Sequence, residues 1–145
     1  MKVLVQDVQH LLSYEIEKKN VQFDWDFDSD ECLVQGDKIQ LSQIVLNVYR
    51  NAIQAMTDDQ TCRISVSLSC ENQRVVLRVH DNGAGVSESV RDKVGQPFLT
   101  TKSDGLGIGF SISKTIAEMH SGSLNITNAV GGGALVELNL PAIER

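Results

Sequence analysis

Strand-like segments in this sequence come in adjacent pairs, and helix-like segments stand between the pairs. Thr61 to Ser69 alternates apolar and polar side chains, Glu71-Asn72-Gln73 turns the chain, and Arg74 to His80 runs back. Ser123 to Asn128 and Ala134 to Leu140 flank Gly131-Gly132-Gly133, and Val21 to Asp26 and Cys32 to Gln35 flank Asp-Ser-Asp-Glu. Connections this short cannot carry a crossover, so each pair is expected to be an antiparallel hairpin. Helical periodicity runs over residues 3 to 19 through Val3, Val5, Val8, Leu11, Leu12 and Ile16. It returns from Asp37, an expected N-cap, to Met56, with Leu41, Ile44, Val45, Val48, Ala52 and Ile53 apolar. A third helix is expected to resume after the glycines at 105 to 109 and to continue from Ser111 to His120, ending near Gly122. Such an order predicts an α/β (α+β) two-layer sandwich with a largely antiparallel sheet, not a doubly wound parallel one.

The chain's 145 residues, 41% hydrophobic and 22% charged, suit one domain with a single core. No apolar run approaches the roughly 20 residues that cross a bilayer, and the N-terminus meets Asp7 before a signal-peptide core can form. A cytoplasmic domain is expected, whether or not a parent protein is membrane-anchored. Cys32, Cys62 and Cys70 are odd in number and form no CxxC pair, so reduced structural thiols are expected and neither a disulfide framework nor a zinc site. The net charge of −6 argues against a general nucleic-acid binder, which needs a basic face. That charge is local: residues 1 to 37 hold three basic against nine acidic residues, and the remainder is balanced. An anionic ligand is therefore expected beyond residue 37.

Three segments there carry chemistry. Gln43, Asn47 and Asn51 are spaced by four on the second long helix, so they line one face. Asparagine is a poor helix former, and two on one face of an otherwise apolar helix suggest a site. An amide oxygen can ligate Mg²⁺ while its NH₂ donates to a phosphate. Next, a strand delivers Asp81, and Gly83 and Gly85 let the chain turn sharply away. A carboxylate held there can accept a hydrogen bond from an exocyclic amine such as that of adenine. The third segment is residues 97 to 120, in which Gly105, Gly107 and Gly109 precede a helix. Their N–H groups can approach phosphates at its positive end. Lys102, Thr100, Thr101 and Ser103 stand just upstream, placed to neutralise and hydrogen-bond a polyphosphate. The spacing is GxGxG, and no GxxxxGK[ST] occurs, so Rossmann and P-loop readings lose their motifs. Residues 82 to 104 form a long irregular connection with only a short helical piece at Ser87 to Val94, the kind of segment that serves as a lid or binding loop.

In this order the segments resemble the ATP-binding catalytic domain of sensor histidine kinases, in the superfamily shared with gyrase, Hsp90 and MutL. QIVLNVYRNAIQAM is similar to the N box, DNGAG to the G1 box, PFLTTK to the F box region, GLGIG to the G2 box and GGGALVELNLP to the terminal G3 region. The resemblance covers essentially the whole chain, so residues 1–145 would be one catalytic domain. It implies a mixed, mostly antiparallel five-stranded sheet packed on three helices, with an ATP lid at about 86–104. It further implies ATP and Mg²⁺ as ligands. Asn51 would ligate the metal, with Asn47 one turn earlier beside the phosphates. Asp81 would recognise the adenine amine, and Gly83 and Gly85 would let the base pack against backbone. Gly105, Gly107 and Gly109, with Leu106 and Ile108 between them, would accommodate the phosphates. Phe98 would anchor the lid, and Thr100, Thr101 and Lys102 would reach the phosphates, Lys102 as a catalytic cation. Leu106 stands where many members have Thr, Leu99 where a second Phe is frequent, and Ala134 where a Thr hydroxyl often lies near the adenine.

Branches of the superfamily differ at the position four before the Mg²⁺ asparagine. In its ATPases this is a Glu that acts as general base; here it is Asn47. An amide cannot take a proton from water or a serine hydroxyl at neutral pH, whereas a neutral imidazole already carries a lone pair. The resemblance therefore implies a histidine protein kinase that transfers the γ-phosphate to a His on a separate dimerisation helix, for relay to a response regulator. None of His10, His80 and His120 lies in the HExxxP-like context of such a helix, so the acceptor helices are expected outside this chain. Alone, the domain is expected to be monomeric and inactive in autophosphorylation, its parent a homodimer. A stand-alone ATPase or anti-sigma-type protein kinase of the same fold remains the alternative, as does a non-catalytic nucleotide-binding module.

Overall fold

The computed structural model describes residues 1–27, 33–55, 61–83, 106–129 and 132–143. Its helices are α1 (Lys2–Leu11), α2 (Ser13–Lys18), α3 (Lys38–Gln54) and α4 (Leu106–Met119). The strands are β1 (Gln22–Phe27), β2 (Arg63–Glu71), β3 (Arg74–Asp81), β4 (Ser123–Asn128) and β5 (Ala134–Pro141). They form one five-stranded sheet in the order β1-β2-β3-β5-β4.

Two of the expected hairpins are present. β2 and β3 pair antiparallel through a turn whose residues Asn72 and Gln73 both have positive φ, 54° and 63°, the twist that suits a two-residue hairpin. β4 and β5 also pair antiparallel, and β5 returns beside β3. The third hairpin does not form. Residues 33–35 are not a strand, and β1 pairs parallel to β2 across α3, with Phe23 opposite Ile64 and Trp25 opposite Val66. The physical reason is burial. In that register Phe23, Trp25 and Phe27 extend the apolar face made by Ile64, Val66 and Leu68, which a strand of four residues could not offer. Leu33 instead lends its carbonyl to Ile143 N–H, 2.9 Å away.

The sheet has a dry face and a wet one. Ile64, Val66, Leu68, Val75, Leu77, Val79, Leu124, Leu138 and Leu140 alternate inward and are buried beneath the helices. The opposite face carries Arg78 and Glu137, an ion pair at 3.0 Å between directly opposed residues of β3 and β5. α3 supplies Leu41, Ile44, Val45, Val48, Tyr49, Ala52 and Ile53 to the core, and α1 supplies Leu4, Val5 and Val8.

Helix ends follow the sequence with two differences. Asp37 caps α3, its Oδ1 accepting from Ile39 N–H at 2.8 Å and Gln40 N–H at 3.0 Å, a cap that contributes about 1 kcal/mol. The single helix expected over 3 to 19 is two, because Leu12 leaves helical geometry at φ −99°, ψ 13° as its own side chain enters the core. The last helix starts earlier than expected, at Leu106, so Gly107 and Gly109 lie inside its first turns rather than ahead of them. Among the described residues no helix is long and apolar enough to cross a membrane. The expected strand residue Cys32, the helical piece Ser87 to Val94 and the whole lid lie outside the described residues.

Candidate functional site

α3 is the beam on which the candidate site is built. Its apolar stripe fixes it to the sheet, which leaves Asn47 and Asn51, half-buried and one turn apart, on one face, with Asn47 bonded to α4.

Asn47 is tied to α4. Its Nδ2 donates to Ser113 Oγ at 3.0 Å and to Gly109 O at 3.4 Å. Both bonds are made by the nitrogen end of the amide, and Oδ1 is not engaged by them. Ser113 is fully buried, and sequence reasoning missed it. The available signal was a serine four residues after Gly109 on the inward face of a helix otherwise lined by Phe110, Ile116 and Ala117. A Cβ on Gly109 would rest in ordinary van der Waals contact with the Asn47 side chain, at 3.8 Å. The first turn of α4 also carries the unsatisfied N–H groups of any helix start. Placing glycines inside that turn, rather than before it, bares those donors.

At the other end of the site, β3 delivers Asp81, 4% exposed, onto the helix side of the sheet opposite Ile64. Its Oδ1 accepts from Gly83 N–H at 2.9 Å and Ala134 N–H at 3.4 Å. Burial raises the carboxyl above the ordinary carboxylate range, opposed in turn by those two N–H donors and by the nearby His80. Glycine is dictated at two positions around it. A Cβ on Gly83 would stand 2.7 Å from the Ala55 carbonyl at the end of α3, and Gly133, at φ +81°, leaves no room for a Cβ against the Asp81 backbone oxygen. Asn82, a second residue that sequence reasoning left aside, fastens this corner: its Oδ1 accepts from Arg63 N–H at 2.9 Å and its Nδ2 donates to Thr61 O. His80 Nε2 lies 3.0 Å from Gly132 O and steadies the β4–β5 turn.

α3 links these two ends: Gly83 abuts Ala55, Ala55 N–H bonds Asn51 O, and Asn47 is one turn further back, so Ala55 and Asn47 are about 12 Å apart along the helix. The structure brings together Asn47, Asn51, Asp81, Gly83, Gly109 and Ala134, the last of them buried at the start of β5. Leu106, Gly107 and Ile108 are in the α4 backbone, while Gly85, Phe98, Thr100, Thr101, Lys102 and Gly105 lie outside the described residues. Two surface grooves, about 330 Å³ beside Asp24, Asp26 and Arg78 and about 310 Å³ beside Met119 and His120, lie elsewhere.

A buried acceptor at one end, glycines at a helix start at the other and amides between them suit a nucleotide. The family described as histidine kinase-, DNA gyrase B- and HSP90-like ATPase matches residues 36–144. The chain belongs to this family. Within it, the sensor protein FixL of Bradyrhizobium diazoefficiens is 34% identical over 128 residues, 88% of this chain and 25% of FixL. The nucleotide-free catalytic domain of histidine kinase ThkA superposes with a TM-score of 0.87 at 27% identity, covering 97% of this chain and 93% of that one. ThkA in complex with the response regulator protein TrrA matches with a TM-score of 0.83 at 25% identity, over 99% of this chain and 40% of the ThkA chain. The chain spans about a quarter of the length of the curated relatives it matches. It is an ATP-binding catalytic domain of the sensor histidine kinase type.

Proposed function

We propose that this chain, residues 1–145 as one domain with its lid at about 86–104, binds Mg·ATP and transfers the γ-phosphate to a histidine on a separate dimerisation helix. A response-regulator aspartate then receives the phosphate. The observation that carries this reading is the fixed amide at position 47. Held by α4 through its nitrogen, it offers an oxygen and no base, which disfavours hydrolysis and suits an acceptor that brings its own lone pair.

In this reading the Asp81 corner takes the adenine amine on the carboxylate oxygen not used by Gly83 and Ala134, and the base lies against the Gly83 and Gly85 backbone. Ala134 contributes its N–H to Asp81 and no hydroxyl to the base. Gly105 and the first turn of α4 through Gly109 take the phosphates, and Phe98, Thr100, Thr101 and Lys102 act from the lid. The residues present fit a divalent ion: two half-buried amides stand one turn apart on one helix face, and the Asn47 amide is anchored through its nitrogen, which leaves its oxygen as a ligand. Asn51 would ligate Mg²⁺ with Asn47 beside it, and the ion neutralises phosphate charge when bound. The acceptor helix would come from a homodimeric parent, the isolated domain being monomeric, and like ThkA the parent would engage a response regulator.

Incubation with ATP labelled on the γ-phosphate tests the reading. The domain alone is expected to incorporate no label and to release phosphate slowly, and acceptor helices supplied in trans are expected to become labelled. Steady phosphate release abolished by Asn51→Ala, without transfer, would make it an ATPase instead.

A further inference from the structure

Asn47 cannot orient itself. A carboxamide on a helix face has two nearly isosteric orientations, and which atom it presents is decided by its neighbours. Here those neighbours are both on α4. Ser113 Oγ lies 3.0 Å and Gly109 O 3.4 Å from Nδ2, one helical turn apart, so the amide is clasped between them. Reversing the amide would set Oδ1 against the Gly109 carbonyl, acceptor against acceptor. Swinging the side chain away would cost Ser113 Oγ, on a residue that is 0% exposed, the donor it accepts from. Ser113 has a second consequence. It joins the helix that carries the amides to the helix whose first turn carries the glycines, so the two halves of the site move together.

We propose that Ser113 is a positioning residue that holds the Asn47 oxygen toward the divalent ion, and so makes nucleotide binding metal-dependent without itself touching nucleotide or ion. This rests on the nucleotide-binding reading above. The side chain acts at one remove, through the orientation of Asn47, and its loss is felt where Mg²⁺ enters and not where the base binds.

Two measurements on the 145-residue chain test it. In the first, ATP binding is titrated by calorimetry in EDTA and across a series of Mg²⁺ concentrations for wild type, Ser113→Ala, Ser113→Cys and Ser113→Thr, each checked for an intact melting transition. Ala, and Cys with its weak acceptor, are expected to raise the half-saturating Mg²⁺ concentration about fivefold or more, with affinity in EDTA within twofold of wild type; Thr, which keeps the hydroxyl, is expected to restore the Mg²⁺ response. Unchanged Mg²⁺ dependence in Ala and Cys overturns the proposal alone, as does an equal loss in EDTA, which would mark a merely structural role. Wild type that binds ATP but ignores Mg²⁺ also overturns it, and wild type that binds no ATP overturns the nucleotide reading and the proposal with it. The second measurement needs no ligand. The Asn47 side-chain NH₂ resonances, assigned by their loss in Asn47→Ala, are expected to lie apart and exchange slowly in wild type and to collapse toward solvent-exposed values in Ser113→Ala. Resonances that stay in place in that variant would show that Ser113 does not hold the amide.

Discussion

Asp81 shows how a buried carboxyl is kept at the expense of stability. Its carboxyl is nearly buried, its two backbone donors are weaker than the loss of water, and its affinity for a proton is accordingly raised. The folded chain therefore binds this proton more readily than the unfolded chain does. Through this group, stability increases as pH falls from above the raised value toward the ordinary carboxylate value, and becomes constant below both. Asp81→Asn keeps an oxygen for Gly83 and Ala134 and removes the charge. The variant is expected to melt no lower than wild type at neutral pH, to lose that acid-side gain, and to bind ATP about 1 to 3 kcal/mol more weakly, read by calorimetry and by melts across pH. Undiminished ATP affinity would remove Asp81 from base recognition. Tyr49 shows the opposite imbalance. Its ring is fully buried against Phe23, its hydroxyl finds no partner among the described residues, and burial pushes its pKa far upward. Tyr49→Phe deletes an unpaired polar atom without changing the packing. It is expected to stabilise the domain by about 1 kcal/mol in denaturant titration.

At the scale of elements, the site depends on how helix ends are held. α3 is fixed at its start by Asp37, whose N–H also donates to His120 Nε2 at 3.2 Å, and at its end by Lys19 Nζ, which donates to Ile53 O at 3.2 Å. The bonds made by His120, to Asp37 N–H and to Ile116 O at 2.8 Å, require its ring to accept through Nε2 and donate through Nδ1. In the structure it is a two-sided hydrogen-bonding link between α4 and α3. α4 supplies the counterpart at the other end of the site. Gly109 inside this helix is a local weakness, about 0.5 to 1 kcal/mol relative to alanine. Its neighbours leave room for a methyl group, so Gly109→Ala is expected to raise the melting temperature of the nucleotide-free domain. The same methyl would stand where phosphate is proposed to lie, and ATP affinity is expected to fall at least tenfold. A variant that gains stability and keeps full affinity would show that this turn does not take the phosphates.

For the whole molecule, sheet order sets the gradient of rigidity. β2, β3 and β5 are bonded on both sides, whereas β1 and β4 form the edges. In hydrogen exchange, amides of β3 around Leu77 and of β5 around Leu138 are expected to be the last to exchange, with the outward amides of β1 and β4 exchanging earlier by orders of magnitude. Equal protection in all five strands would mean that the edges are covered. The Asp81 corner thus grows from an inner strand, while the glycines at the other end of the candidate site belong to α4.

Much of this was legible in the sequence because local chemistry decided it. Asp37 as a cap, the Asn72-Gln73 turn, the alternation of β2, β3 and β5 and the boxes around Asn47, Asn51, Asp81 and Gly109 each depend on residues close together in the chain. What only the tertiary structure decided involves partners far apart. β1 is a short amphipathic strand equally able to form a hairpin with its neighbour, and it went parallel to β2 because that register packs three partly buried aromatic rings against the core. Ser113 is an ordinary helical serine until α3 sets an amide 3.0 Å from it, 66 residues away in sequence. The starting turn of α4 likewise moved forward past its glycines, since the cost of glycine in a helix is small beside the packing of Phe110, Ile116 and Ala117. Sequence alone determined which groups are present and the periodicity that carries them; the choice of partner, and with it the direction in which the Asn47 amide points, came from burial and hydrogen bonding that form only when the sheet and helices close on one another.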